Sequence, residues 1–278
     1  MKQPAPAGKL RARTATLVST RQVGPNILQQ RFAEPVIARR TQAGQFVHLL
    51  PGPDLLFRRA FSVYATDPKQ GTFDILYQVL GKGTGALARQ PAGTAIDALG
   101  PLGNRFTPLP ADCTPILVAG GLGMAPLRLF AEELLSGTSR RQESPRPIML
   151  LGNRRKSQAV VPFGLSSKTL DVRWATDDGS RGFRGTVVDL LSAMIVAGDV
   201  TPGKAHVYGC GPEPMLAALA VLCANQRIPC ELSLERSMPC GFGVCMGCVV
   251  RGRDTSGYET YHRVCRDGPV FNAASIAF

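Results

Sequence analysis

A chain of 278 residues with 44% hydrophobic and 19% charged residues has room for two packed domains and a small appendage, and its balance excludes long disordered tracts. The formal charge of +12 raises nucleic-acid binding, but the basic residues are dispersed, residues 231–278 balance, and one Trp and five Tyr offer little for base stacking. No window reaches about 18 uninterrupted apolar residues, and Met1 to Leu10 lack the apolar run of a secretory signal, so a cytoplasmic protein without a membrane span is expected.

From about Arg11 to Phe106, short β-prone runs alternate with Gly/Pro turns. The runs are Thr14–Ser19, Gln45–Leu50, Phe61–Tyr64, Phe73–Val79 and Thr94–Leu99, separated by Pro51-Gly52-Pro53, Pro68–Gly71, Gly81–Gly85 and Pro91–Gly93. This spacing predicts an antiparallel β-barrel or sandwich over residues 1–108. Within it, Arg59-Ala60-Phe61-Ser62 opens a strand in the form R-x-[aromatic]-[Ser/Thr]. Arg59 suits a bidentate contact with a diphosphate, and the Ser62 hydroxyl suits a flavin ring nitrogen; a plain structural strand is the bland alternative. Gly81-Lys82-Gly83-Thr84-Gly85 follows the strand Phe73–Val79. Such a glycine-rich turn brings backbone N–H groups to a phosphate, with the Thr84 hydroxyl beside them, although a β-turn explains it equally.

The pattern switches at Pro108–Thr114. Strands at Pro115–Gly120, Pro147–Gly152, Asp171–Ala175, His206–Gly209 and Cys230–Leu234 alternate with helices at Ala125–Leu135, Thr186–Val196 and Glu213–Gln226, which predicts a parallel α/β nucleotide-binding domain over 109–234. The longest apolar run, Met215–Ala224, reads as a buried helix. Gly120-Gly121-Leu122-Gly123-Met124-Ala125-Pro126 joins a strand to a helix in a form close to the dinucleotide fingerprint, with Pro126 at its last position. Gly209-Cys210-Gly211-Pro212-Glu213-Pro214-Met215 is a second strand-to-helix turn. Together they place Gly121, Gly123, Cys210, Gly211 and Pro212 around a nicotinamide nucleotide, with Cys210 near the nicotinamide or simply a small buried residue. Thr176–Ser180 reads as a polar loop on the same crevice, and Arg154-Arg155-Lys156 suits either a 2′-phosphate or a solvated loop.

After Glu235 no regular pattern is expected, and residues 235–278 are organised by Cys240-x4-Cys245-x2-Cys248-x16-Cys265. The first three match C-x4-C-x2-C with a fourth ligand downstream, the spacing of plant-type [2Fe–2S] proteins. Gly241, Gly243 and Gly247 give the backbone freedom to point N–H groups at sulfur. Zinc sites pair two short knuckles instead, whereas Cys265 stands alone. Cys113, Cys210, Cys223 and Cys230 are scattered, and three of them sit in apolar surroundings. The histidines His48, His206 and His262 form no evident acid–base constellation.

The order R-x-F-S, G-x-G-T, G-G-x-G-x-A-P, C-G-P-x-x-M resembles the ferredoxin-reductase-like flavoproteins. The added C-G-x-G-x-C-x-x-C, preceded by Met238-Pro239 and closed by Cys265-Arg266-Asp267-Gly268-Pro269-Val270-Phe271, is similar to the electron-transfer subunits of NAD-dependent (class 1B) dihydroorotate dehydrogenase, from about Thr14 to Phe271. That resemblance implies a multi-domain α+β protein with an FAD barrel, an NAD domain and a small [2Fe–2S] domain. It implies FAD contacts at Arg59, Ala60, Phe61, Ser62, Leu76, Tyr77, Gln78, Gly83 and Thr84, and cluster ligands at Cys240, Cys245, Cys248 and Cys265. It further implies a separate FMN-bearing catalytic subunit, two of each in the assembly, with electrons from dihydroorotate passing through the cluster and FAD to NAD. Ala60 departs from the proline frequent there, and Gly85-Ala86-Leu87 from a bulkier, more charged stretch. Small subunits of NADH-dependent ferredoxin:NADP oxidoreductases and of sulfhydrogenases share the layout and stand as the alternative.

Overall fold

The computed structural model describes residues 11–52, 54–108, 112–138, 145–162, 164–165, 170–254, 256 and 258–278. Met1–Leu10, Pro53 of the first expected turn, and the start of the expected unit at 109 lie outside the described residues.

The N-terminal part is a closed antiparallel barrel of β1 (Arg13–Gly24), β2 (Ile27–Ala33), β3 (Phe46–Leu49), β4 (Arg59–Asp67), β5 (Thr72–Gln78) and β6 (Ala95–Leu102), in spatial order β1-β2-β5-β4-β3-β6. Two short helices, α1 (Pro35–Arg40) and α2 (Lys82–Ala88), connect them. Closure into a barrel is what the turn spacing predicts. The pattern gives no signal for β2, because its inward row contains the fully buried Gln30. That amide is satisfied: Nε2 donates to Thr20 Oγ1 (3.0 Å) and the Leu87 carbonyl (3.2 Å), and Oε1 accepts from the Tyr77 hydroxyl (3.0 Å). The helix α1 starts on an unusual cap, Glu34, whose carboxylate accepts from the Ile37 N–H at 2.6 Å, with Pro35 at the first helical position. The stretch Gly81–Gly85 is not an open loop but the first turn of α2, with Gly81 as its N-cap.

The second part is a sheet ordered β10-β9-β8-β7-β11-β12-β15. Its strands are β7 (Thr114–Gly120), β8 (Ile148–Asn153), β9 (Asp171–Thr176), β10 (Phe183–Arg184), β11 (Ala205–Cys210), β12 (Cys230–Ser233) and β15 (Val270–Asn272). Helices α3 (Met124–Thr138), α4 (Val187–Val196) and α5 (Glu213–Gln226) cross between them. All neighbours are parallel except β15, which runs antiparallel to β12. Successive strands are added on one side of β7 as far as β10 and on its other side from β11 onward, so the strand order reverses between the parallel central strands β7 and β11 and a crevice opens at their carboxyl ends. The helix α5 buries only one side, through Leu216, Leu219 and Cys223; Val221 is 61% exposed, so its apolar run is not fully buried as expected.

Regular structure does not stop at Glu235. A long loop leads to the hairpin β13 (Val249–Arg253) and β14 (Glu259–Arg263), then the single turn α6 (Val264–Asp267), then β15. These elements are short and β13 includes Gly252, which hides their period in the sequence. The chain end is held by Asn104, just beyond the barrel. Its amide donates to the Val270 carbonyl (2.7 Å) and accepts from the Val270 N–H (2.9 Å), and its own N–H donates to the Gly268 carbonyl (2.7 Å). The segment from the cluster region is thereby fixed between barrel and sheet. Removing the amide in Asn104→Ala strands both polar groups of Val270 and is expected to cost about 1–3 kcal/mol in urea unfolding, with faster hydrogen exchange confined to residues 264–272.

Candidate functional site

The two expected flavin motifs meet on the barrel. The Arg59 side chain lies against Gly83: a β-carbon there would come within 2.6 Å of the Arg59 Nε. The Arg59 guanidinium donates to the Phe57 (2.8 Å) and Arg58 (3.2 Å) carbonyls. On the neighbouring strands Phe61 and Tyr77 pair with ring centroids 5.2 Å apart. Leu76 and Tyr77 are buried, the Tyr77 hydroxyl being spent on Gln30, while Ser62 and Gln78 are partly exposed. The Thr84 hydroxyl accepts from the Leu80 (3.0 Å) and Gly81 (3.2 Å) N–H groups, so here it caps the entry to α2. Ala60 alternates to the opposite face of β4 from Arg59 and Phe61, where its cross-strand partner is His48.

A cleft of about 600 Å³ runs between the barrel and the carboxyl ends of the parallel strands. Asn26, Ile27 and Gln78 form its barrel wall; Gly120, Gly121, Arg154, Asp177, Pro212 and Met215 are among the residues of the other. Of the expected nucleotide residues, Gly121 and Pro212 border the cleft, while Gly123, Cys210 and Gly211 lie beneath. The two turns touch there, since a β-carbon on Gly123 would fall 2.1 Å from the Cys210 carbonyl oxygen and 2.7 Å from the Gly211 nitrogen. Cys210 has no exposed surface, and burial pushes its thiol well up, so it is a neutral packing thiol in this state. The Thr176–Ser180 loop does reach the cleft, through Asp177. Its companion Asp178 accepts from the Ser180 hydroxyl (2.6 Å) and N–H (3.0 Å), which hold the carboxylate below its usual range.

The four expected ligand cysteines fall into two pairs, with Cys240 and Cys245 in thiol contact and Cys248 against Cys265. Backbone donors surround the sulfurs. Burial pushes the Cys240 thiol up, but the N–H groups of Cys245, Phe242 and Val244 outweigh it and bring the thiol down to about 6. Gly247 N–H lies 3.4 Å from the Cys245 sulfur, and Cys265 N–H 3.4 Å from that of Cys248. Burial, then the neighbouring sulfurs of Cys248 and Cys240, push Cys265 up to about 12, against a Gly243 N–H. Among the described residues no three His, Cys, Asp or Glu side chains gather on one ion-sized point. Two pairs of thiols ringed by amide donors fit two irons taking two cysteines each.

His48, passed over in the sequence as one of three scattered histidines, lies under this loop. Gly241, at φ +80°, presses its α-carbon onto the imidazole: a β-carbon would be 2.6 Å from Cε1 and 2.7 Å from Nδ1. The only sequence signal was its place in a strand two residues from Phe46 and beside the R-x-F-S strand.

A six-stranded antiparallel barrel followed by a parallel sheet, with a nucleotide-sized cleft between them, defines a ferredoxin-reductase-like fold. Solved structures agree. The NADH-dependent reduced ferredoxin-NADP oxidoreductase superposes with a TM-score of 0.81 at 23% identity, covering 95% of this chain and 90% of that one. The Neisseria gonorrhoeae ferredoxin NADP+ reductase with bound FAD and NADP gives 0.64 at 17% identity, over 77% and 91%. Residues 235–277 match the iron–sulfur cluster binding domain of dihydroorotate dehydrogenase B. The Geobacillus kaustophilus dihydroorotate dehydrogenase B (NAD(+)) electron transfer subunit is 37% identical over 273 residues, 94% of this chain and 96% of that protein. The chain belongs to the family of dihydroorotate dehydrogenase B electron transfer subunits, as its motif order implies.

The contact between the two nucleotide turns leaves no room for a methyl group. Gly123→Ala is expected to destabilise the fold by about 1–3 kcal/mol or more, read as a lower urea midpoint, whereas Gly203→Ala, where nothing lies within 4 Å of the added carbon, serves as the neutral control.

Proposed function

We propose that this chain carries FAD on the barrel, a [2Fe–2S] cluster on Cys240, Cys245, Cys248 and Cys265, and NAD(H) in the cleft, and relays electrons between NAD and a partner subunit whose FMN oxidises dihydroorotate to orotate. The observation that carries the reading is the pairwise gathering of four amide-ringed thiols directly on the barrel face behind the R-x-F-S strand. The chemistry supplied by the bound groups is two-electron exchange between FAD and nicotinamide and single-electron exchange between FAD and the cluster.

The residues of this chain bind, orient and insulate. Arg59, steadied by Gly83 and two carbonyls, presents its fork to the FAD diphosphate. Ser62 meets a flavin ring nitrogen, and Ala60, Phe61, Leu76, Tyr77, Gln78 and Thr84 shape the seat. Gly121 and Pro212 offer the nucleotide close backbone approach, and the buried contact of Gly123 with Cys210 and Gly211 holds their two turns together. The N–H groups of Phe242, Val244 and Cys245 stabilise the Cys240 thiolate that an iron requires. Functional units at 1–108, 109–234 and 235–278 belong to the proposal; in packing, the third is tied to the second through β15.

The same reading places the chain in the cytoplasm, in a complex of two copies with two FMN subunits. All eight cysteines are free, as a reducing compartment favours. Among the described residues no helix is long and apolar enough to cross a membrane. The likeness to the NADH-dependent reduced ferredoxin-NADP oxidoreductase supports the second reading, a small subunit of such an enzyme. Co-purification separates the two: an FMN-bearing partner turning over dihydroorotate supports the first, and a partner reducing NADP with ferredoxin the second.

Anaerobically purified protein is expected to hold one flavin and about two irons with two sulfides per chain, and NADH is expected to bleach both chromophores. A colourless chain, or one holding zinc and no flavin after reconstitution, overturns the proposal. Arg59→Ala is expected to weaken FAD retention about 10–100-fold, the equivalent of one charge-assisted hydrogen bond, without changing iron content.

A further inference from the structure

His48 is entirely buried, and neither ring nitrogen has a hydrogen-bond partner among the described residues. An apolar side chain would fill the same space without stranding two polar atoms, each costing about 1–3 kcal/mol when unpaired. The partner of such a ring therefore comes from a group that seats beside it.

Two directions are open, and the geometry favours one. Paired residues of antiparallel strands share a face, so His48 lies on the face that carries Ala60 and Ser62, with Arg59 and Phe61 on the other. What decides between them is the contact the ring makes: it lies against Gly241, between Cys240 and Phe242, with Cε1, Nδ1 and Cγ nearest. The edge of Phe46 closes one side at 5.9 Å between ring centroids. The charged groups near enough to act on it are Arg58 and Arg59; burial first, then these two cations, bring it down to about 4, so the ring is neutral and has one N–H to donate. An iron–sulfur cluster offers acceptors alone, and hydrogen bonds to its sulfurs set its potential.

We propose that His48 donates a ring N–H to a sulfur of the [2Fe–2S] cluster, fastening the cluster loop to the flavin-bearing barrel and raising the cluster's midpoint potential. The proposal rests on the cluster reading of the four cysteines. A donor stabilises the more negative, reduced cluster, so its loss lowers the potential.

The test is pulsed electron paramagnetic resonance on the dithionite-reduced whole protein grown on ring-15N-histidine. A ring-15N coupling to the cluster is expected in the native sequence, retained in His262→Gln. It is expected to vanish in His48→Phe, whose cluster potential falls while the FAD potential stays, with partial recovery in His48→Gln, which keeps an N–H. Absence of the coupling in the native protein overturns the proposal without any variant having to fold, as does a shift confined to the FAD potential. Protein free of iron and sulfide overturns the cluster reading itself, and is told apart by elemental analysis before the spectrum is taken.

Discussion

Asn104 is the hinge-pin of the architecture. A single side-chain amide, pairing with both polar groups of Val270, does the work of a strand neighbour where the barrel hands over to the sheet. Because β15 is only three residues long, Asn104 reinforces what its pairing with β12 and the burial of Val270 and Phe271 begin. With it, β15 adds to β12, Leu232 opposite Phe271, and everything between them is drawn into a closed excursion. The cysteine loop is that excursion. Its position against the barrel is therefore dictated from both ends, by β12 entering and by β15 leaving.

Local charge and hydrogen bonding then shape the loop. Asp267 accepts from the Arg263 N–H at 2.7 Å and from its guanidinium, and that guanidinium reaches the Gly243 carbonyl at 3.3 Å. The single turn carrying Cys265 is thus tied to the turn carrying Cys240 before any iron is considered. The same economy governs the barrel side, where Arg59 leans on Gly83 and His48 on Gly241. The cysteine loop touches β3 at His48, and β3 pairs with the R-x-F-S strand, so only one strand separates the two motifs.

The parts of this arrangement that the sequence makes legible are those fixed by chemistry at close spacing. Four cysteines with glycines between them announce a cluster, and two strand-to-helix glycine turns announce a nucleotide cleft, because few residue types tolerate those backbones. What is hidden depends on partners far along the chain. The strand β2 is masked since Gln30 is inward yet satisfied by Thr20, its cross-strand partner on β1, and by Tyr77 and Leu87, none of them close to it in the chain. The Gly81–Gly85 stretch reads as a loop because glycine is a poor helix former, and Thr84 overrides that by capping two N–H groups. His48 gives little signal because what sets it apart is a contact with Gly241, nearly two hundred residues along the chain.

The outer face of the loop completes the logic. Val244 is 73% exposed, Met246 53%, and Phe242 is partly exposed beside them. Apolar side chains standing out around a group of cysteines are unfavourable in water, and nothing in this chain covers them among the described residues. Their inward neighbours, Cys248 and Cys265, are buried, so the loop is not loosely packed; it is packed on one side only. A chain that named relatives identify as one subunit of a larger enzyme has a reason for such a surface, because an apolar interface core excludes water and allows close approach to the cluster. The inner contact with the barrel, where His48 meets Gly241, and the outer apolar lip lie on opposite sides of the same cysteine loop, which is the layout the proposed relay calls for.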